Sequence, residues 1–111
     1  MATLDVQTVS RSGLNPSFSG AASGGDEFPW STRAVLYVKN GDSDSHTVTV
    51  ASQISSSPQG LTSDDLSVDV PAGEDRVIGP FSERAWADSD GNVQVSYDDT
   101  TSVEVAVIEV P

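Results

Sequence analysis

Apolar and polar residues alternate along this chain in short runs, with little competing 3.6-residue periodicity, which is the pattern of half-buried antiparallel strands. The runs are Thr3 to Val9, Arg33 to Lys39, Thr47 to Gln53, Leu66 to Val70, Arg76 to Gly79, Asn92 to Tyr97 and Ser102 to Val110. No segment reads as a helix. Between the runs lies explicit turn chemistry. Asn40-Gly41-Asp42-Ser43-Asp44 supplies residues that tolerate positive φ or bond their own backbone, as a hairpin loop requires. Pro71-Ala72-Gly73-Glu74 does the same, with Pro71 ending one ladder because it lacks an N–H. Asp88-Ser89-Asp90-Gly91-Asn92 and Asp98-Asp99-Thr100 introduce the last two runs. The order reads as hairpins joined by two longer crossings, Ser10 to Thr32 and Ile54 to Asp65. The expected fold is all-β, an antiparallel β-sandwich of seven to eight strands, jelly-roll-like or, alternatively, immunoglobulin-like. A chain of 111 residues has room for one such core and is read as a single β-sandwich domain over residues 1–111.

Loops longer than about 12–15 residues usually bind something or are disordered. The first crossing carries Phe18, Phe28 and Trp30; a third connection, Pro80 to Trp86, adds Phe81, Arg84 and Trp86. Two readings apply to each of these candidate interface residues. Large aromatics fold back to cover an open end of a sandwich, and aromatic anchors with arginine dominate protein interfaces. For Phe81 the sequence favours the core.

Charge narrows the field of functions. Seventeen acids against five basic residues give a formal net charge of −12, the wrong sign for phosphates and for an anionic bilayer, so neither nucleic acid nor membrane is an expected partner. The opening Met1-Ala2-Thr3-Leu4-Asp5-Val6 has neither the basic head nor the apolar stretch of a secretion signal, so nothing directs export and the product is expected to remain in the cytoplasm until assembled. The acids are spread along the chain while lysine is reduced to Lys39. That pattern reads as a halophilic surface, since molar salt shortens the Debye length to ~3 Å and relieves self-repulsion.

Candidate chemistry is sparse. There is no cysteine, and the single histidine, His46, sits beside a loop without a nucleophile elbow elsewhere; a solvated loop histidine is the expectation. Asp88-Ser89-Asp90-Gly91-Asn92 superficially resembles the start of a calcium loop, but Gly91 is in the wrong position, and an Asx turn is expected. No catalytic residue, cofactor site or metal site is assigned, and the chain is not expected to be an enzyme.

The succession Val38-Lys39-Asn40-Gly41, Thr47-Val48-Thr49-Val50, Val70-Pro71-Ala72-Gly73-Glu74, Ile78-Gly79-Pro80-Phe81, Asp90-Gly91-Asn92-Val93-Gln94-Val95-Ser96-Tyr97 and Thr101-Ser102-Val103 resembles small structural proteins encoded among the head genes of tailed phages and haloarchaeal tailed viruses. The likeness extends to Met1-Ala2-Thr3-Leu4 and Gly25-Asp26-Glu27-Phe28-Pro29. It implies a virion protein on the capsid surface, a decoration or turret protein whose partners are the major capsid protein and other copies of itself in a trimer or pentamer. The competing expectations are a tail or baseplate component, and a carbohydrate- or receptor-binding module using Trp30, Trp86, Tyr37 and Tyr97 as stacking surfaces.

Overall fold

In a computed structural model, which describes residues 2–52, 65–81 and 86–110, the chain folds as a β-sandwich of two sheets with no α-helix among the described residues. Among the described residues ten strands follow one another: β1 (Ala2–Thr3), β2 (Val6–Thr8), β3 (Ser19–Gly20), β4 (Asp26–Pro29), β5 (Ala34–Asn40), β6 (His46–Val50), β7 (Leu66–Val70), β8 (Asp75–Ile78), β9 (Asn92–Tyr97) and β10 (Val103–Glu109). The first sheet has the order β1-β4-β9-β6-β7. The second runs β2-β10-β5-β8, with β3 also paired to β10. Pairing is antiparallel except for β1 with β4 and β2 with β10.

Inward positions of both sheets are mostly valine, which suits a thin sandwich because its β-branched side chain packs well on a pleated surface. Phe28 and Phe81 are the largest fully buried side chains, with ring centroids 6.1 Å apart. The long run predicted from Thr3 to Val9 is broken at Leu4-Asp5. Leu4 drops into the core and its N–H donates to the Glu27 carbonyl at 2.7 Å, so β1 and β2 belong to different sheets.

Two expectations are corrected. The crossing from Ser10 to Thr32 contains β3 and β4. Asp26-Glu27-Phe28-Pro29 has low strand propensity and hides its period because the inward residue before Phe28 is an aspartate. The other correction concerns connectivity. Asn40–Asp44 and Pro71–Glu74 are not hairpin loops, since β5 and β6, like β7 and β8, lie in opposite sheets. Among the described residues, β6 and β7 are the successive strands that hydrogen-bond side by side. Gln53 and most of the Ile54 to Asp65 crossing lie outside the described residues.

Interlocking makes the sandwich coherent. The successive strands β4 and β5 pair with the successive strands β9 and β10, one pair in each sheet. Trp30 closes one end, with Nε1–H donating to the Phe81 carbonyl at 2.9 Å. Trp30→Phe keeps most of the ring's packing but removes this donor, and a loss of about 1 kcal/mol is expected in urea denaturation.

Candidate protein interface

The two outward faces differ in kind. On the first sheet the outward side chains are polar and bond one another across strands. Thr47 Oγ1 donates to Asp69 Oδ1 at 2.8 Å, Asn92 Nδ2 to Glu27 Oε2 at 2.9 Å, and Gln94 Nε2 to Glu27 Oε1 at 3.1 Å. Asp88 extends this surface as an Asx turn, accepting from the Asp90 and Asn92 N–H groups at 2.9 Å each and from Gln94 Nε2 at 2.7 Å. These donors hold its carboxyl below the usual range, the Asn92 backbone bond first and the Gln94 side chain next.

The second sheet presents Val35, Tyr37 and Lys39 from β5, Asp75 and Val77 from β8, and Glu104, Ala106 and Ile108 from β10. Among the described residues the large hydrophobics classed as exposed are Val77, at 61%, and Val110, at 54%. Both lie on this face, since Val77 is in register with Tyr37 and the Val110 N–H reaches the Arg33 carbonyl just beyond Val35. An open depression at one end is lined by Thr32, Arg33, Val35, Pro80 and Val110. At the other end Phe18 arches over the sheet, edge-on to Tyr37 with centroids 5.1 Å apart and with Lys39 Nζ 4.1 Å from its own centroid. Ala106, between them in the sheet, is left only 2% exposed. Tyr37 donates to Asp75 Oδ2 at 3.1 Å, and that bond, with a smaller contribution from burial, raises the phenol's pKa.

The aromatic candidates therefore separate. Phe28 and Phe81 are buried in the core, and Trp30 and Trp86 pack partly buried against it, the Trp86 ring 5.7 Å from that of Phe81. Phe18 is the candidate that stands on an outward face. Arg84 lies outside the described residues. Sequence reasoning missed Arg33, Val35, Val77, Ile108 and Val110. A signal was present: Ala34-Val35-Leu36-Tyr37-Val38 and Val105-Ala106-Val107-Ile108 are unbroken apolar runs, the mark of strands apolar on both faces.

No family model matches the chain, and neither the curated proteins nor the solved structures contain a match.

His46 departs from expectation. It is 4% exposed, with Nε2 2.9 Å from Asp42 Oδ2 and Nδ1 3.5 Å from Asp98 Oδ1. Its ring thus joins two loops at one end of the sandwich, because β6 begins where the chain has just crossed between sheets. The Asp42 bond raises the imidazole pKa against the opposing effect of burial, with Asp98 and Asp99 adding to the rise. The same bond lowers the Asp42 pKa. A histidine whose folded pKa is raised binds its proton more tightly when folded. Its contribution is complete below the unfolded value of about 6.5 and disappears as pH rises through the folded value. Asp42 behaves oppositely, and its contribution is lost as acid takes the pH below the ordinary carboxylate range. Thermal melts between pH 5 and pH 9 are expected to fall with rising pH in the native chain and to flatten in His46→Asn.

Proposed function

We propose that this chain is a viral structural protein that decorates or stabilises the exterior of an icosahedral capsid and acts through protein–protein contacts. The observation that carries the reading is the asymmetry of the sandwich: one outward face is a polar, acidic ladder, while the other holds Val77 and Val110 in water. Outward apolar side chains on an otherwise acidic domain are candidate contact points, and Val77 and Val110 share this face with Val35, Pro80 and Ile108. The resemblance to head-cluster proteins supports the same reading, with the major capsid protein and further copies of the chain as partners. Repetition strengthens it physically, since a weak contact made by each copy on a lattice becomes firm when linked copies engage several sites together. The acidic remainder of the surface fits a halophilic setting, where salt screens repulsion between neighbouring copies. The glycan-binding alternative finds less support, because Trp30 and Trp86 pack against the core and the Tyr97 hydroxyl donates to Asp26 at 2.6 Å.

Purified particles banded in high salt, with this protein quantified by mass spectrometry against the major shell protein, test the reading. Recovery at hundreds of copies per head is expected. A handful of copies would assign the chain to the tail, and absence from particles would refute a virion role.

A further inference from the structure

We propose that His46 is a proton-operated clasp: with both ring nitrogens protonated it holds the β9–β10 loop against the β5–β6 loop, and loss of one proton lets the β9–β10 loop open while the sandwich stays folded. The clasp lies at one end of the molecule and needs no capsid as partner.

Hydrogen-bond chemistry sets the charge of the ring. Nε2 lies 2.9 Å from Oδ2 of Asp42, whose pKa is lowered; an ionised carboxylate can only accept, so Nε2 carries a proton. Nδ1 is buried and has no hydrogen-bond partner, and it faces Asp98 Oδ1 at 3.5 Å. In a neutral ring Nδ1 would point its lone pair at this second carboxylate, and a buried acceptor without a donor is costly. A second proton turns that repulsion into an ion pair. The ring is therefore an imidazolium between two aspartates, one from each loop.

Its surroundings make the proton decisive. Asp42 comes from the β5–β6 loop, and Asp98 and Asp99 from the β9–β10 loop; these three are the charged groups that act on the ring. From β7 the residue opposite His46 is Val70, which is apolar, and Glu74 in the turn beyond it is paired with Arg76. Asp99 also acts directly on Asp42, which it disfavours in the charged form. One positive charge thus stands among three negative ones, and its loss leaves the two loops repelling each other.

The β9–β10 loop is also strained. Ser102 has φ +56° and, among the described residues, is the non-glycine with positive φ, a conformation that crowds a residue carrying a Cβ. Two backbone bonds tie the loop to its surroundings, from the Asp98 N–H to the Thr47 carbonyl at 3.1 Å and from the Gly41 N–H to the Ser102 carbonyl at 2.9 Å. Other bonds are internal, since the Thr101 N–H and hydroxyl both donate to Asp99 Oδ1. On either side the chain is secured in a sheet, Tyr97 by its pairing with Val48 and Val103 by its pairing with Asn40. Opening is thereby confined to residues 98–102.

Linkage gives the direction. The Asp42 bond raises the imidazole pKa, so the closed clasp binds its proton more tightly than the open one. Closure is strongest below the free-imidazole value of about 6.5 and weakens as pH rises through the folded value. The opening equilibrium shifts about tenfold for each pH unit between the two.

NMR tests this cleanly, because His46 is the only histidine in the chain. Its ring signals give the folded pKa and the protonation of each nitrogen. Hydrogen exchange at the Gly41 and Asp98 amides, corrected for the intrinsic effect of pH, reports opening of the loop. About 2 M NaCl throughout keeps screening constant as the charge changes. The folded pKa is expected above about 6.5, with both nitrogens protonated below it. Protection at Gly41 and Asp98 is expected to fall as pH rises through it, by about tenfold per unit of difference, while Tyr37 and Ala106 in the central strands stay protected. Asp98→Ala changes a half-exposed side chain and is expected to lower the imidazole pKa and to loosen Gly41 even in mild acid. A ring that titrates at or below about 6.5, unchanged protection at Gly41 and Asp98 across the titration, or a native pKa in Asp98→Ala would each overturn the proposal. So would parallel loss of protection at Tyr37 and Ala106, which marks unfolding of the whole sandwich.

Discussion

Asn40→Ala is expected to destabilise the fold by about 2–3 kcal/mol, because it leaves the buried Val70 carbonyl without a partner at about 1–3 kcal/mol and removes part-buried bonds to the Asp44 carbonyl and the Asp42 N–H worth about 1 kcal/mol or less each. Asn40 ends β5 and is 2% exposed. Its Nδ2 donates to the Asp44 and Val70 carbonyls at 2.9 Å each, and its Oδ1 accepts from the Asp42 N–H at 3.0 Å. One side chain thereby ties the loop after β5 to the end of β7 in the opposite sheet. Water cannot replace it at the Val70 carbonyl, which is buried. Urea denaturation in high salt checks the figure, and total stabilities of about 5–15 kcal/mol make such a loss plain in the midpoint. Asn40→Asp is expected to recover little, since a carboxylate accepts where two donors are required.

Gly25→Ala is expected to have an effect of similar size for a different reason. Gly25 has φ +92° and precedes β4. A Cβ there would lie 2.7 Å from the Val95 carbonyl oxygen, which belongs to β9 in the middle of the first sheet and has no room to retreat. Strain at positive φ costs about 1–3 kcal/mol and overpacking against backbone a further 1–3, so a loss of about 3–4 kcal/mol is expected. Displacing this turn also disturbs Asp26, whose Oδ2 accepts from the Tyr97 hydroxyl at 2.6 Å and from the Ala22 N–H at 3.2 Å. Gly73→Ala is the control. That glycine has φ +72° but nothing within 4 Å of the added Cβ, so backbone strain alone remains and the midpoint should shift by about a third as much.

Both residues show where the sequence is legible. Asn40 opens a stretch that announces a turn and ends β5 where that turn begins, and Gly25 lies in the long crossing from Ser10 to Thr32, just before β4. Their energetic weight is another matter, since it comes from Val70 and Val95, which are remote in sequence and become neighbours only on folding. His46 is similar. A histidine beside a loop of aspartates reads as solvated, and burial arises because the chain crosses from one sheet to the other at that point, closing Asp42 and Asp98 around the ring.

The candidate interface was half legible. Phe18 stood out as an aromatic in a long connection, and it does lie on an outward face. Phe28 was placed in the same connection, yet it is a core residue of β4, because a strand of four residues containing two acids and a proline has too little alternation to be recognised. Val77 and Val110 look in sequence like any other strand valine. Whether such a residue faces core or water depends on the side of the sheet on which its neighbours' pleat places it.

By itself the sequence determined the all-β class, the approximate positions of seven of the strands, the valine core and the acidic surface. Each follows from local chemistry: period-two alternation, turn residues and charge count. Tertiary structure alone decided which strands are partners, which turns cross between sheets, and which face is left apolar. A tight turn between two alternating strands is satisfied equally by a hairpin and by an arch across the core, because both bury the same side chains. The choice is made by pairings such as β4 with β9 and β5 with β10, whose partners are far apart along the chain and whose hydrogen bonds carry no signature in either strand alone.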